Sequence, residues 1–192
     1  PGMMETILNI GLTSKTIPFM IEASGNEGFV YDSYRRLIMM YADVVMEKAL
    51  GLNKSSYSIR ELMEKELESV KKAKGYKSDS NMKAKDWKAL SKKYLKMVKK
   101  EFGVPFPDDH YEQLFGAIAA VFESWNGKRA KEYRGFEKIS SSMGTAVNVQ
   151  AMVFGNLGKD CGTGVAFTRN PSTGENVFFG EARVCKSLKH SS

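Results

Sequence analysis

The 192-residue sequence is poor in the residues that build disulfide, metal and nucleophile sites, with two cysteines and two histidines. Cys161 and Cys185 cannot form a disulfide framework, so a reducing, cytoplasmic compartment is the expectation. Neither His110 nor His190 has a partner at ligand spacing, so no His or Cys metal site is expected. Cys161 has no histidine close in sequence, and no Ser/His/Asp arrangement can be argued. No apolar run approaches the roughly 20 residues of a membrane helix. The apolar start, Met3 to Leu12, carries Glu5 and lacks a basic leader, so it does not read as a secretory signal. Five prolines, 17 glycines and a 42% hydrophobic content exclude collagen-like, low-complexity and disordered classes. What remains has the composition of a soluble globular chain, one domain or two small subdomains.

Charge is present but uneven. The formal net charge is +7. Residues 65–101 hold 13 Lys against 5 Asp+Glu, leaving 16 basic and 17 acidic residues elsewhere. The excess is entirely lysine, the residue of a solvated helix face, whereas arginine dominates base and phosphate recognition. A lysine-rich solvent face is therefore favoured and no nucleic-acid partner is expected. The competing reading is a non-catalytic basic helical module that binds polyanions.

Hydrophobic spacing predicts four helices. Val30, Tyr34, Leu37, Ile38, Tyr41 and Val45 make one stripe. A second helix opens at Ser58 with Glu61 completing a capping box and Tyr57 and Leu62 placed for a hydrophobic staple. Its apolar face is Ile59, Leu62, Met63, Leu67 and Val70. A third carries Trp87, Leu90, Tyr94, Leu95, Val98 and Phe102, and stops at Gly103, Pro105 and Pro107. The fourth starts near Asp108 with Tyr111, Leu114, Phe115, Ile118, Val121, Phe122 and Trp125, the cleanest spacing in the chain. Gly75 to Asn81 reads as a flexible polar connector.

Beyond about residue 143 the period becomes two. Val147 to Phe154 alternates as a strand, and Gly164 to Arg169 and Val177 to Glu181 read as two more, joined by a turn at Asn170–Gly174. The expected fold is α+β, a helical part followed by a small antiparallel sheet.

Glycines at 155, 158, 162 and 164 lie between strands, where bare backbone lets N–H groups converge on an anion. Neither the Walker A nor the Rossmann spacing is present, and such loops are structural more often than not. Arg35 and Arg36 lie mid-helix, with Asp32 and Asp43 on the Arg36 face. An arginine aimed into a cleft could hold phosphate, but a surface pair is the plainer reading. Met3 and Met4 could line a flat apolar ligand, although core filling is commoner.

Longer strings carry more. PGMMETILN at 1–9, YDSYRR at 31–36, VNVQAMVFGN at 147–156 and GTGVAFTRNPSTGE at 162–175 closely resemble pyruvate, phosphate dikinases. The resemblance covers roughly residues 1–181 and is loose across the lysine-rich helices. It implies part of an ATP-grasp nucleotide-binding domain: 1–12 as the start of its core, 13–107 as a helical subdomain, 108–181 as a nucleotide-binding part, and 182–192 as a tail unlike the family. It also implies ATP and Mg²⁺ as cofactors. In the intact enzyme a histidine phosphorylated by ATP, with orthophosphate giving diphosphate, passes its phosphate to pyruvate, and a homodimer is usual. By position Arg36, the candidate catalytic residue, matches an arginine that handles the phosphate co-substrate. Thr163 and Gly164, with Gly162 beside them, match the glycine loop over the triphosphate. Gln150, Met152 and Val153 match the strand that runs past the adenine. Phosphoenolpyruvate synthases and glucan-type dikinases share the domain, but the SYRR and GTGVAFTRNPSTGE strings fit the phosphate-using enzyme best.

The family's ATP-contacting lysine and an early arginine precede the PGMM string, and its metal-binding carboxylates and a later arginine follow the region matched here. Metal ligands are thus expected outside this chain. Without those charges the chain alone is expected to lack dikinase activity and to bind nucleotide weakly. Plastid and glycosome remain open beside the cytoplasm.

Overall fold

The stripe from Val30 to Val45 becomes the spine of the fold, with all six residues buried. In a computed structural model, which describes residues 3–53, 55–158 and 161–184, it lies on helix α2, Glu27–Tyr41. Asn26 caps α2 by accepting from the Phe29 amide. The helix runs straight on into a π-helical segment, Ala42–Ala49, whose wider turn brings Lys48 and the buried Asp43, five residues apart, within 3.2 Å. A shorter helix, α1 (Ile17–Ser24), precedes α2.

Helix α3, Ile59–Ala73, begins at Ser58, whose hydroxyl accepts from the Glu61 amide. Ile59, Met63 and Leu67 are buried, while Tyr57 at the staple position is exposed and stands 5.1 Å from the Lys65 ammonium. Helix α4, Ala84–Phe102, buries Trp87, Leu90, Tyr94, Val98 and Phe102 and ends where Gly103 turns left-handed, at φ +76°. It packs mainly on α2, and the Tyr94 hydroxyl donates to the Met63 carbonyl of α3 at 2.7 Å. The connector between α3 and α4 is tied down rather than loose. Asp79 accepts from Arg35 of α2 and pairs with Lys71, and Tyr76 donates to Asp86.

Helix α5, His110–Ser124, forms where expected and is capped by Asp109. Its orientation departs from the expectation in part, since Leu114, Ile118, Val121 and Trp125 of the stripe are half-buried and the rest exposed. The buried residues are Gln113, Ala117 and Ala120, set against the π-helical segment. Tyr111, Phe115 and Phe122 of the apolar stripe are 59%, 65% and 47% exposed. Next to this face Gly116 is held to a bare backbone, since a Cβ there would stand 2.1 Å from the Tyr41 hydroxyl oxygen. Helix α6, Lys128–Phe136, follows; its buried face is Ala130 and Arg134, which no hydrophobic period reveals.

Contacts divide the chain into two units, residues 1–150 and 151–192. In the second, β1 (Gly162–Phe167) pairs antiparallel with β2 (Phe179–Val184), Gly164 opposite Ala182 and Phe167 opposite Phe179. Asn170 closes the turn as expected, its side chain accepting from the Ser172 and Thr173 amides. The strand expected over 147–154 does not form. Residues 147–154 are irregular chain, and Val149 and Val153 are 67% and 97% exposed. Among the described residues the fold is α+β, with six α-helices and a small two-stranded antiparallel sheet.

Candidate functional site

In the second unit the glycines are explained first by the hairpin itself. A Cβ on Gly155 would lie 2.7 Å from the Gly162 carbonyl oxygen, and one on Gly164 2.8 Å from that of Glu181. Strand alternation then gives the hairpin two unlike faces. Gly162, Gly164 and Ala166 with Gly180 and Ala182 make a face of nearly bare backbone. Thr163, Val165 and Phe167 with Phe179 and Glu181 make the other, which with Gly164 borders a cleft of about 280 Å³. That is near the lower end for a small-molecule site. Met152 and Val153 are exposed on irregular chain just before this hairpin. Gln150, also exposed, is the last residue of the first unit.

In the first unit the adjacent arginines part ways on Asp32. Arg35 is buried: its Nε donates to Asp32 Oδ1 at 2.8 Å, its Nη2 reaches Asp79 at 3.2 Å, and its guanidinium lies 4.7 Å from the Trp87 ring centroid. Arg36 donates to the other Asp32 oxygen at 3.0 Å and leaves half of its side chain in solvent. Asp43, expected on the Arg36 face, instead holds Arg60 at 2.8 Å and Lys48.

The segment from Met3 to Ser14 runs along α2 and α5. Leu8 N–H donates to the Met40 sulfur, one helical turn beyond Arg36. Gly11 N–H donates to the Gln113 side chain, whose amide nitrogen donates in turn to the Leu12 and Pro107 carbonyls. Met4 packs toward Ser124 at the end of α5, while Met3 is half-buried. Gln113 is fully buried and escapes sequence reasoning; its one signal is an amide inside an otherwise apolar helix. Among the described residues no group of three or more His, Cys, Asp or Glu side chains could hold a metal ion. No helix there is long and apolar enough to cross a membrane.

A family model described as "Pyruvate phosphate dikinase, AMP/ATP-binding domain" matches residues 1–184. The chain belongs to this family. It is 48% identical over 182 residues to pyruvate, phosphate dikinase of Clostridium symbiosum, covering 94% of this chain and 20% of that protein. The Rhizobium meliloti (strain 1021) enzyme is 46% identical over 184 residues, covering 96% of this chain and 19% of its own length. That of Entamoeba histolytica is 46% identical over 183 residues, covering 94% and 20%. The chain spans about a fifth of the length of these dikinases.

Proposed function

We propose that the chain supplies part of the ATP-binding surface of a pyruvate, phosphate dikinase, within a nucleotide-binding domain of the ATP-grasp type. The reaction served is ATP, phosphate and pyruvate going to AMP, diphosphate and phosphoenolpyruvate through a phosphohistidine, in a homodimeric cytoplasmic enzyme. The observation that carries the reading is the start of β1, where Gly162 and Gly164 add no side chain to one face and the exposed Thr163 stands on the other.

In this reading backbone N–H groups and the Thr163 hydroxyl donate to phosphate oxygens without a Cβ in the way. Gln150, Met152 and Val153 face the adenine, the amide by hydrogen bonding and the apolar pair by contact. Arg36 holds the phosphate co-substrate by the guanidinium nitrogens that Asp32 leaves free. Mg²⁺ would neutralise the phosphates when bound, but the described residues offer no group of carboxylates, histidines or cysteines that fits it.

Binding is tested by titrating the 192-residue chain with ATP and following amide resonances. Saturable shifts confined to residues around 150–164, weakened in Thr163→Val, are expected. Gly164→Val is a poor probe because its side chain would strike the Glu181 carbonyl and disturb the hairpin. Shifts that ignore Thr163, or that cluster on α4, would sink the assignment. The chain supplied with ATP, phosphate and pyruvate is expected to form no diphosphate. The polyanion reading draws on Lys85, Lys92, Lys96 and Lys99, which have no ion pair among the described residues, and predicts retention on heparin that Lys→Glu changes abolish.

A further inference from the structure

Arg35 and Arg134 are both buried, 3% and 4% exposed, and both lie over a tryptophan. Arg35 has two carboxylates, Asp32 and Asp79. Arg134 has none within ion-pair distance among the described residues. Its guanidinium carbon sits 3.9 Å from the Trp125 ring centroid, and Nη1 donates to the Trp125 carbonyl at 2.6 Å, at the C-terminal end of α5. Nε is buried without any hydrogen-bond partner.

A guanidinium stays charged, carries five donors, and is costly to bury unpaired. The tryptophan face and one carbonyl offset part of that cost and fix the plane of the group. They use one nitrogen only. Nε and Nη2 are left as the side-on edge that takes two oxygens of one anion. The flanking sequence is basic on balance, with Lys128, Arg129, Lys131 and Lys138 against Glu132 and Glu137, which favours a negative ligand.

We propose that the Nε–Nη2 edge of Arg134 is the seat of an oxyanion, a carboxylate or a phosphate group that completes the pairing Arg35 already has. This does not rest on the nucleotide reading, since neither Arg134 nor Trp125 enters it.

The test uses the ¹⁵N-labelled 192-residue chain at constant ionic strength, titrated with sodium acetate in one arm and inorganic phosphate in the other. The Arg134 Nε–H resonance is assigned by its loss in Arg134→Lys. A saturable shift of that resonance, with the Arg35 Nε–H unmoved, is expected; the arm that produces it names the anion, and a response in both supports the shared chemistry. A second readout is melting temperature. The same anion should raise it in the native chain and leave Arg134→Met unchanged. An unmoved Nε–H in both arms, or equal anion stabilisation of Arg134→Met, overturns the proposal.

Discussion

Tyr41 and Gly116 are fitted to one another across the packing of α5 on the π-helical segment: a Cβ built on Gly116 would stand 2.1 Å from the Tyr41 hydroxyl oxygen and 3.2 Å from its ring carbon. Tyr41 is 4% exposed and wedged edge-on against Phe106, so it has little room to withdraw. In an open helix Gly→Ala would stabilise by about 1 kcal/mol through propensity. Here Gly116→Ala should instead destabilise by about 1–3 kcal/mol, the usual range for overpacking. Urea denaturation of the single variant and of Gly116→Ala/Tyr41→Phe checks this. The double variant should recover much of the loss, and equal losses in both would refute the account.

The difference between α2 and α5 shows what was legible in the sequence. On α2 one wide apolar stripe meets α4, and every residue that the helical period names is buried, although Phe29, Ser33 and Arg35 are buried beside it. On α5 two faces are apolar, a bulky one and a small one, and spacing alone selects the bulky one. The inner face carries Gln113, whose amide bonds the Leu12 and Pro107 carbonyls, and Gly116, which Tyr41 keeps without a Cβ, tertiary facts absent from the period. Helix α6 stayed hidden for a related reason, since an arginine and an alanine fill its buried face. At the candidate site the glycine positions and Arg36 were legible as strings. The split of roles between Arg35 and Arg36 was not, because Trp87 and Asp79, which capture Arg35, lie 44 or more residues away.

Arg35 joins α2, the connector and α4 through Asp32, Asp79 and the Trp87 face. A lysine keeps the charge but loses the planar stack and the two-way reach. Arg35→Lys should therefore cost about 2 kcal/mol, the scale of a charged hydrogen bond lost from a buried site. It should also free residues 75–81 for proteolysis. Arg36→Lys, at an exposed pair, should change stability by less than about 1 kcal/mol. Thermal melts with limited proteolysis separate the two, and equal effects would refute the distinction.

At high pH the buried tyrosines set the limit. Burial pushes both Tyr34 and Tyr41 up to about 12, with the Asp108 charge adding at Tyr34 and that of Glu112 at Tyr41. Neutral rings are favoured more in the folded chain than in the unfolded one. Their contribution is complete below the ordinary value of 10.0 and is lost as pH climbs from there toward 12. Stability should fall over that window, and Tyr41→Phe should flatten part of the decline. Ultraviolet titration should show these two rings ionising above the ordinary value of 10.0.

At low pH the corresponding group is Asp86, buried at the start of α4. Lys74 hydrogen-bonds its carboxylate and is the main cause holding it below the ordinary 3.8, helped by the Lys83 amide and the Tyr76 hydroxyl. A carboxylate with a depressed value contributes fully above 3.8 and loses that contribution as pH falls through its folded value. Asp86→Asn should thus melt below the native chain at pH 7, and the two melting curves should converge only as the pH drops under 3.8. Convergence already at pH 5 would mean that Lys74 and Asp86 are not coupled in solution.

The exposed stripe of α5 offers the sharpest check on how that helix is turned. Phe115 is 65% exposed and Ala117 only 6%, although they lie two residues apart on one helix. Phe115→Ser removes little buried surface and should change the unfolding free energy by less than about 1 kcal/mol. It should also reduce binding of a hydrophobic dye, because a large exposed ring disappears. Ala117→Leu forces a larger side chain against the π-helical segment and should cost about 1–3 kcal/mol. The reverse order, with Phe115→Ser the damaging change, would mean that the bulky face is the buried one and that α5 is rotated by roughly half a turn.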